Sequence, residues 1–292
     1  MPLQTVTPPT AEPLDISVVR QHVKQDITDD DDLLQIAIGS ARRFAEMLTQ
    51  RQFVAARLVW LMDSFPVSAL YGAQYGRGGK LPESAILLPK SPVIQVVSIT
   101  YTDMGGVKQT MPATDYVVDL TCEPARITPV FGKVWPINLP QINSVQVTFD
   151  AGYMTPAVFD STANTVTVKG WRTMAVGDNV RLSNSGGLLP AAVTAKTDYY
   201  VQAVVSPGMY ALSASPGGPV IDFTDVGTGI SFLGQPGLNN SHGELEDGIK
   251  SWMFLRVDSL YSHRGETANT RGNIVPLPWV DRLLDPYKVV LA

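Results

Sequence analysis

Three groups of residues have types and spacings that could do chemistry. Residues 29–32 are four consecutive aspartates, a cluster that could bind calcium. An EF-hand loop needs ligands at alternating places, glycine at the sixth and glutamate at the twelfth; counted from Asp29 those places hold Leu34 and Ser40. The run instead predicts a helix start, where the helix dipole favours negative charge by ~0.3–1 kcal/mol. Residues 76–80, GRGGK, look like a phosphate cradle, but Gln74 stands where a Walker loop needs its first glycine and Leu81 where it needs Ser or Thr. Pro82 blocks the helix that should follow, so a flexible loop is expected. The third group is His22, His242 and His263, of which no pair has a metal-ligand spacing.

Nucleophilic chemistry has no better footing. The single cysteine, Cys122, has no histidine near it in sequence, and no Gly-x-Ser-x-Gly elbow occurs. No catalytic residue, metal site or cofactor is therefore expected, and an enzyme is the least supported class. One cysteine also excludes an intramolecular disulfide.

One segment asks for a partner rather than a substrate. Leu277, Trp279, Val280, Leu283, Leu284 and Tyr287 crowd a Pro-flanked C-terminal stretch too apolar for a free tail. Such a segment either folds back or docks on another subunit, and exposed aromatic anchors are common hot-spot residues. Docking is the preferred expectation.

These residues must be positioned by a chain of 292 residues, 45% apolar and 17% charged. That length suggests two domains and enough core to fold without metal or disulfide staples. The net charge of −5 opposes a nucleic-acid grip, which runs on lysine and arginine releasing counterions. The first residues carry no basic, apolar signal sequence, and no apolar run is long enough to span a bilayer. Assembly in a cytoplasm, without membrane contact, is the expectation.

The pattern along the chain predicts its elements. Residues 1–14, rich in proline, read as an extended arm. Ile16, Val19, Val23 and Ile27 mark one stripe of a short helix with Asp15 as N-cap. Leu34, Ala37, Ile38, Ala41, Phe44, Ala45 and Leu48 mark a second helix, in which Gly39 leaves room for a close neighbour. Strands are expected at 52–62, 85–88, 93–101, 115–120, 125–128 and 144–149, with a turn at Asp103-Met104-Gly105-Gly106. Residues 155–243 are poor in charge and dense in Gly, Ser, Thr and Val. Short strands at 165–169, 179–183, 199–205, 209–213, 220–223 and 230–233 recur between turns, which argues an inserted all-β sandwich or barrel. Leu245, Ile249, Trp252, Met253, Val257 and Leu260 mark a third helix. The fold class is then α+β: a small helical bundle, an antiparallel β region and the inserted all-β domain. The expected division is an arm at 1–14, a core at 15–154 plus 244–265, the insertion at 155–243 and a tail at 266–292.

With these elements in place the chain resembles the tailed-phage head–tail connector, or adaptor, proteins, relatives of which occur in gene transfer agents. The resemblance lies in LDISVVRQHVKQDITDDDDLLQIAIGSARRFAEML, SFP, LPKSPVIQVVSITYTDMGG, FDAGY, IKSWMFLRVDSLYSHRGE and LPWVDRLLDPYKVV, in that order. The stretch 155–243 departs from the family and is similar to a β-module of phage structural proteins, with VGDNVRLSNSGGLLP, TDYYV and GTG. The resemblance implies a virion neck protein. It would form a ring of about twelve copies under the portal protein, extend the channel through which DNA passes without specific binding, and dock tail, tail-completion or head-closure proteins. The six C-terminal residues named above would make the portal or partner contact. Two other readings stand beside it: a different neck or tail protein, and a glycan or host-surface module stacking sugars on Trp171, Tyr199, Tyr200 or Tyr210.

Overall fold

The computed structural model describes residues 2–66, 84–168, 173–235, 244–262 and 278–289, and of Pro278 and Trp279 the backbone alone. The expected loop at 76–80, His242 and His263 lie outside these. The fold is α+β, and the chain divides into two compact units: residues 1–8, 56–152 and 290–292 in one, 9–55 and 153–289 in the other.

The first unit is β. Its strands are β1 (Leu3–Thr7), β2 (Ala56–Met62), β3 (Ile86–Leu87), β4 (Val93–Thr102), β5 (Lys108–Thr110), β6 (Tyr116–Asp119), β7 (Arg126–Pro129) and β8 (Val145–Ala151). They form an antiparallel five-stranded sheet in the order β1-β2-β8-β4-β5 and a three-stranded one in the order β3-β7-β6. Alternation along β8 drives Val145, Val147 and Phe149 into a core with Leu58, Ile99 and Ile127. Asp150 is fully buried beside them, tolerable because Arg57, directly opposite on β2, grips it with two hydrogen bonds of 2.8 and 3.0 Å. Gln95 adds a third at 2.8 Å. The turn after β4 forms where expected: Asp103 accepts from the backbone N–H of Gly105 and Val107, and Gly106 takes φ +80°.

The second unit joins helices to a barrel. Helix α1 (Ile16–Val23) is capped by Asp15, whose side chain accepts from Ser17 N at 2.8 Å. It stops short of Ile27 because Lys24 turns left-handed at φ +56°, which leaves Ile27 exposed. Helix α2 (Asp31–Thr49) begins in the aspartate run, as the dipole argument requires, with Asp31 and Asp32 in its first turn. With α3 (Asp247–Ser262) they close a three-helix core around Leu34, Ile38, Ala41, Ile249, Trp252 and Val257. Segment 52–55, expected as strand, instead carries buried Phe53 and Val54 into this core, and the strand starts only at Ala56.

The barrel is closed: β9 (Thr155–Asp160), β10 (Thr165–Val168), β11 (Asn179–Ser185), β12 (Asp198–Ser206), β13 (Met209–Ser213) and β14 (Ile230–Gly234), in the order β10-β13-β12-β11-β14-β9. Val180, Leu182, Val201, Tyr210, Leu212 and Leu233 fill it, as expected of a barrel too narrow for a channel. The expected strand at 220–223 reduces to a single bridge at Val220, while Phe223 sends its ring into the barrel core. Three strands the sequence did not announce are β1, hidden in the proline-rich arm, the short β5, and β9, which contains Pro156.

Helices and barrel share residues. Period-two alternation points Leu233 into the barrel and Phe232 outward, yet Phe232 is fully buried because it packs in the helical core. The N-terminus of α1 rests on the barrel too: Asp15 N donates to Ser185 Oγ at 2.8 Å. Gly186, at φ +76°, lies so close that a Cβ would sit 2.3 Å from the Asp15 side chain. Gly186→Ala is therefore expected to lower unfolding free energy by about 2–4 kcal/mol. Gly217→Ala, also left-handed but in open space, should cost only about 1 kcal/mol. Denaturant midpoints of the two variants make the comparison.

Candidate functional site

The C-terminal segment is the candidate the sequence names, and the structure places most of it on the chain's own helices. Residues Pro278–Arg282 form α4, followed by a 3-10 turn at Asp285–Tyr287. Leu284 is fully buried in the helical core, and Val280, Leu283 and Tyr287 pack against its edge. Leu277 and the Trp279 side chain lie outside the described residues. Three polar contacts hold the segment: Trp252 Nε1 donates to Asp281 Oδ1 at 3.0 Å, Arg51 Nε to the Tyr287 carbonyl at 2.6 Å, and Val289 N to the Thr49 carbonyl at 2.9 Å. The Tyr287 ring sits on α3 where Gly248 has no side chain; a Cβ there would meet it at 2.8 Å. Folding back, the lesser of the two sequence expectations, is thus what Val280, Leu283, Leu284 and Tyr287 do in a single chain.

The supporting helices are themselves fixed by buried charge. Arg42 on α2 donates to Glu12 at 2.7 and 3.1 Å and to Glu46 at 2.8 Å. Burial works against its charge, but the hydrogen bond to Glu12 and the nearby Glu46 outweigh it and raise its pKa. Glu46 also accepts from the Gln52 side chain and Phe53 N. Glu12 is the close neighbour that Gly39 admits, 3.3 Å from where its Cβ would be.

Tyr153 carries a strongly shifted ionisation. Tyr153, of the FDAGY motif, donates to Glu246 Oε2 at 2.8 Å, and its pKa is pushed well above 10.0 by burial first and then by the Glu246 charge. It lines neither a cleft bordered by Trp60, Met62 and Phe65 nor one bordered by Leu188, Leu189 and Val226. Burial and the neighbouring Glu246 carboxylate account for the shift. Among the described residues no group of three or more His, Cys, Asp and Glu side chains could hold a metal ion.

Apolar surface is exposed elsewhere. In the first unit Phe131 is fully exposed, Ile137 81% and Ile142 82%. Their loop is pinned: Trp135 stacks on Phe65 at 5.0 Å and donates to the Ser84 carbonyl, while Leu139 N donates to the Thr102 carbonyl and Asn143 N to Asp63. On α2, Leu33, Ile36 and Met47 face outward. The sequence reading missed both patches. The loop is broken by prolines and has no period, and on α2 these residues fall off the buried stripe. The tyrosines proposed for sugar stacking are otherwise engaged: Tyr199 and Tyr210 lie inside the barrel, Tyr200 is half-buried, and Trp171 is outside the described residues.

No protein-family model and no curated protein matches this chain. Solved structures do. A chain in the neck of an empty gene transfer agent particle, computed with C6 symmetry, matches with a TM-score of 0.52 at 14% identity. One in the virion of a native gene transfer agent particle gives 0.54 at 14%, and one in a native neck computed with C12 symmetry gives 0.50 at 15%. Each match covers 100% of this chain and 97% of the other. The shared fold therefore runs through sheets, helices and barrel alike.

Leu284→Ala is expected to destabilise the chain by about 2–5 kcal/mol. A loss under about 0.5 kcal/mol, the size of a surface change, would show that the segment does not rest on the helices in solution. Tyr153→Phe should cost about 1–3 kcal/mol at neutral pH, because Glu246 loses a buried donor. Tyr153 holds its proton in the fold beyond the pH at which the unfolded chain releases it. Its contribution is therefore complete below pH 10.0 and lost as pH climbs toward the folded value. Unfolding curves between neutrality and about pH 11 should show this alkaline loss in the wild type and less of it in the variant.

Proposed function

We propose that this chain is a structural subunit of a particle neck: a head–tail adaptor that forms a ring under the portal, continues the DNA channel and receives tail, tail-completion or head-closure proteins. The observation that carries the reading is the full-length likeness to chains of gene transfer agent necks and virions, barrel included. Necks computed with C6 and C12 symmetry are rotationally symmetric, and a chain repeated about such an axis makes head-to-tail contacts that close into a ring. The net charge of −5 suits a wall past which DNA slides rather than one that holds its phosphates.

The role is architectural rather than catalytic, and the partner contacts are apolar. The segment with Leu277, Trp279, Val280, Leu283, Leu284 and Tyr287 remains the portal-facing candidate. For Leu284 that role requires leaving its own helical core on meeting the partner, so release and docking are one coupled step. The glycan reading has lost support, since Tyr199 and Tyr210 serve the barrel interior.

Immunogold labelling of intact particles with antibody to the full chain is expected to mark the head–tail junction. Label at distal fibres would favour host binding instead, and absence from blots of disrupted particles would overturn the reading. Deleting residues 277–292 is expected to yield DNA-filled heads that fail to join tails.

A further inference from the structure

Strand β1 is an unusual way to finish a sheet. It covers the edge of β2, seven residues long with Val59, Trp60 and Leu61 in its middle, which left open would be a template for unwanted pairing. The opposite edge is protected differently, by the three-residue β5 with Lys108 on it. The covering strand comes from the chain terminus. None of its five residues is buried; Gln4, Thr5 and Val6 are exposed, and Leu3 alone packs on the sheet core. Its hold is backbone pairing, Leu3 opposite Trp60, Gln4 opposite Val59 and Thr5 opposite Leu58, with an irregularity before Thr7 and a bond from Leu61 N to the Pro2 carbonyl.

The root of the arm is firm where the strand is not. Glu12 is bound twice by Arg42, and Pro13 and Leu14 are buried. Between Glu12 and the strand stand Pro8, Pro9, Thr10 and Ala11. Two prolines in succession favour a stiff polyproline conformation, and Thr7 before them is kept extended. These four residues make a tether at most ~14 Å long. All the strand pairing of β1 is with β2, and every copy of the chain has the same β2 and the same sheet core. Exchange between copies therefore preserves each of those contacts, and a short stiff hinge is the arrangement that invites it.

We propose that β1 is an exchanged strand, pairing in the assembled ring with β2 of a neighbouring copy and so linking the subunits by their N-terminal arms. The inference rests on the ring reading above. Adjacent copies would present β2 at an effective concentration in the millimolar range, enough for weak backbone pairing to contribute to assembly.

The test uses the full chain in a Cys122→Ser background. One preparation carries Gln4→Cys, a second Val59→Cys, and a third both; the first two are mixed, assembled and oxidised mildly. Since Gln4 and Val59 are paired in register, the double variant reports that the disulfide can form, and in the mixture any such disulfide must join two chains. Covalent dimers in the mixture, and a ladder extending past dimer in the double variant, are expected. Rings seen by mass photometry in which the double variant links only within single chains would overturn strand exchange and leave the ring reading standing. Monomers linked only within themselves at all concentrations would overturn both. Deleting residues 2–7 provides a second measure: ring formation should need at least tenfold more protein, and an unchanged assembly midpoint counts against the proposal.

Discussion

A guanidinium buried on α2 holds together parts of the second unit that are far apart in sequence. Arg42 receives Glu12 from the arm and Glu46 from its own helix, and Glu46 in turn receives the Gln52 side chain and the Phe53 amide. Arg42 and Glu46 are buried and Glu12 is half-buried; burying charge is unfavourable unless it is met, and removing one member of a buried pair typically costs ~3–5 kcal/mol. Here all are met, so the arm, the end of α2 and the buried 52–54 segment have one mutual position. The root of β1 and the seat of the C-terminal segment, where Thr49 and Arg51 make their contacts, both follow from it.

The two ends of the chain are held in different ways. At the C-terminus Leu284 is wholly buried, so the segment is bound by packing and leaves only at a considerable cost in free energy. At the N-terminus β1 is bound by backbone pairing with one half-buried leucine, an attachment that another copy can supply equally well. A strand held mainly by hydrogen bonds and a segment held mainly by apolar burial are thus attached on different energy scales.

Much of the fold was legible because local physics decided it. Asp15 could be named as a cap, the four aspartates as a helix start, Gly39 as a close approach and Asp103 to Gly106 as a turn, since each depends on neighbours within a few residues. The elements missed were those where local signals misled. Prolines concealed β1 and β9, and the apolar run at 52–55 looked like strand while serving as a buried crossing. For the C-terminal segment, the sequence showed that Val280, Leu283, Leu284 and Tyr287 would be covered and favoured a partner, whereas in the single chain they rest on its own helices. Apolarity states that a surface will be covered and not by what.

By itself, then, the sequence determined the fold class, the helix and strand periodicities, the all-β character of 155–243 and the lack of any recognised catalytic spacing. Those properties are set by residue type and short-range order. Only the tertiary structure decided that the barrel closes, that Phe232 turns outward into a helical core, that Leu284 folds home and that the N-terminal arm completes a sheet fifty residues away. Each of these is a contact between segments distant in the chain, fixed by shape and by the need to satisfy buried groups. Neither is encoded in any single stretch of the sequence.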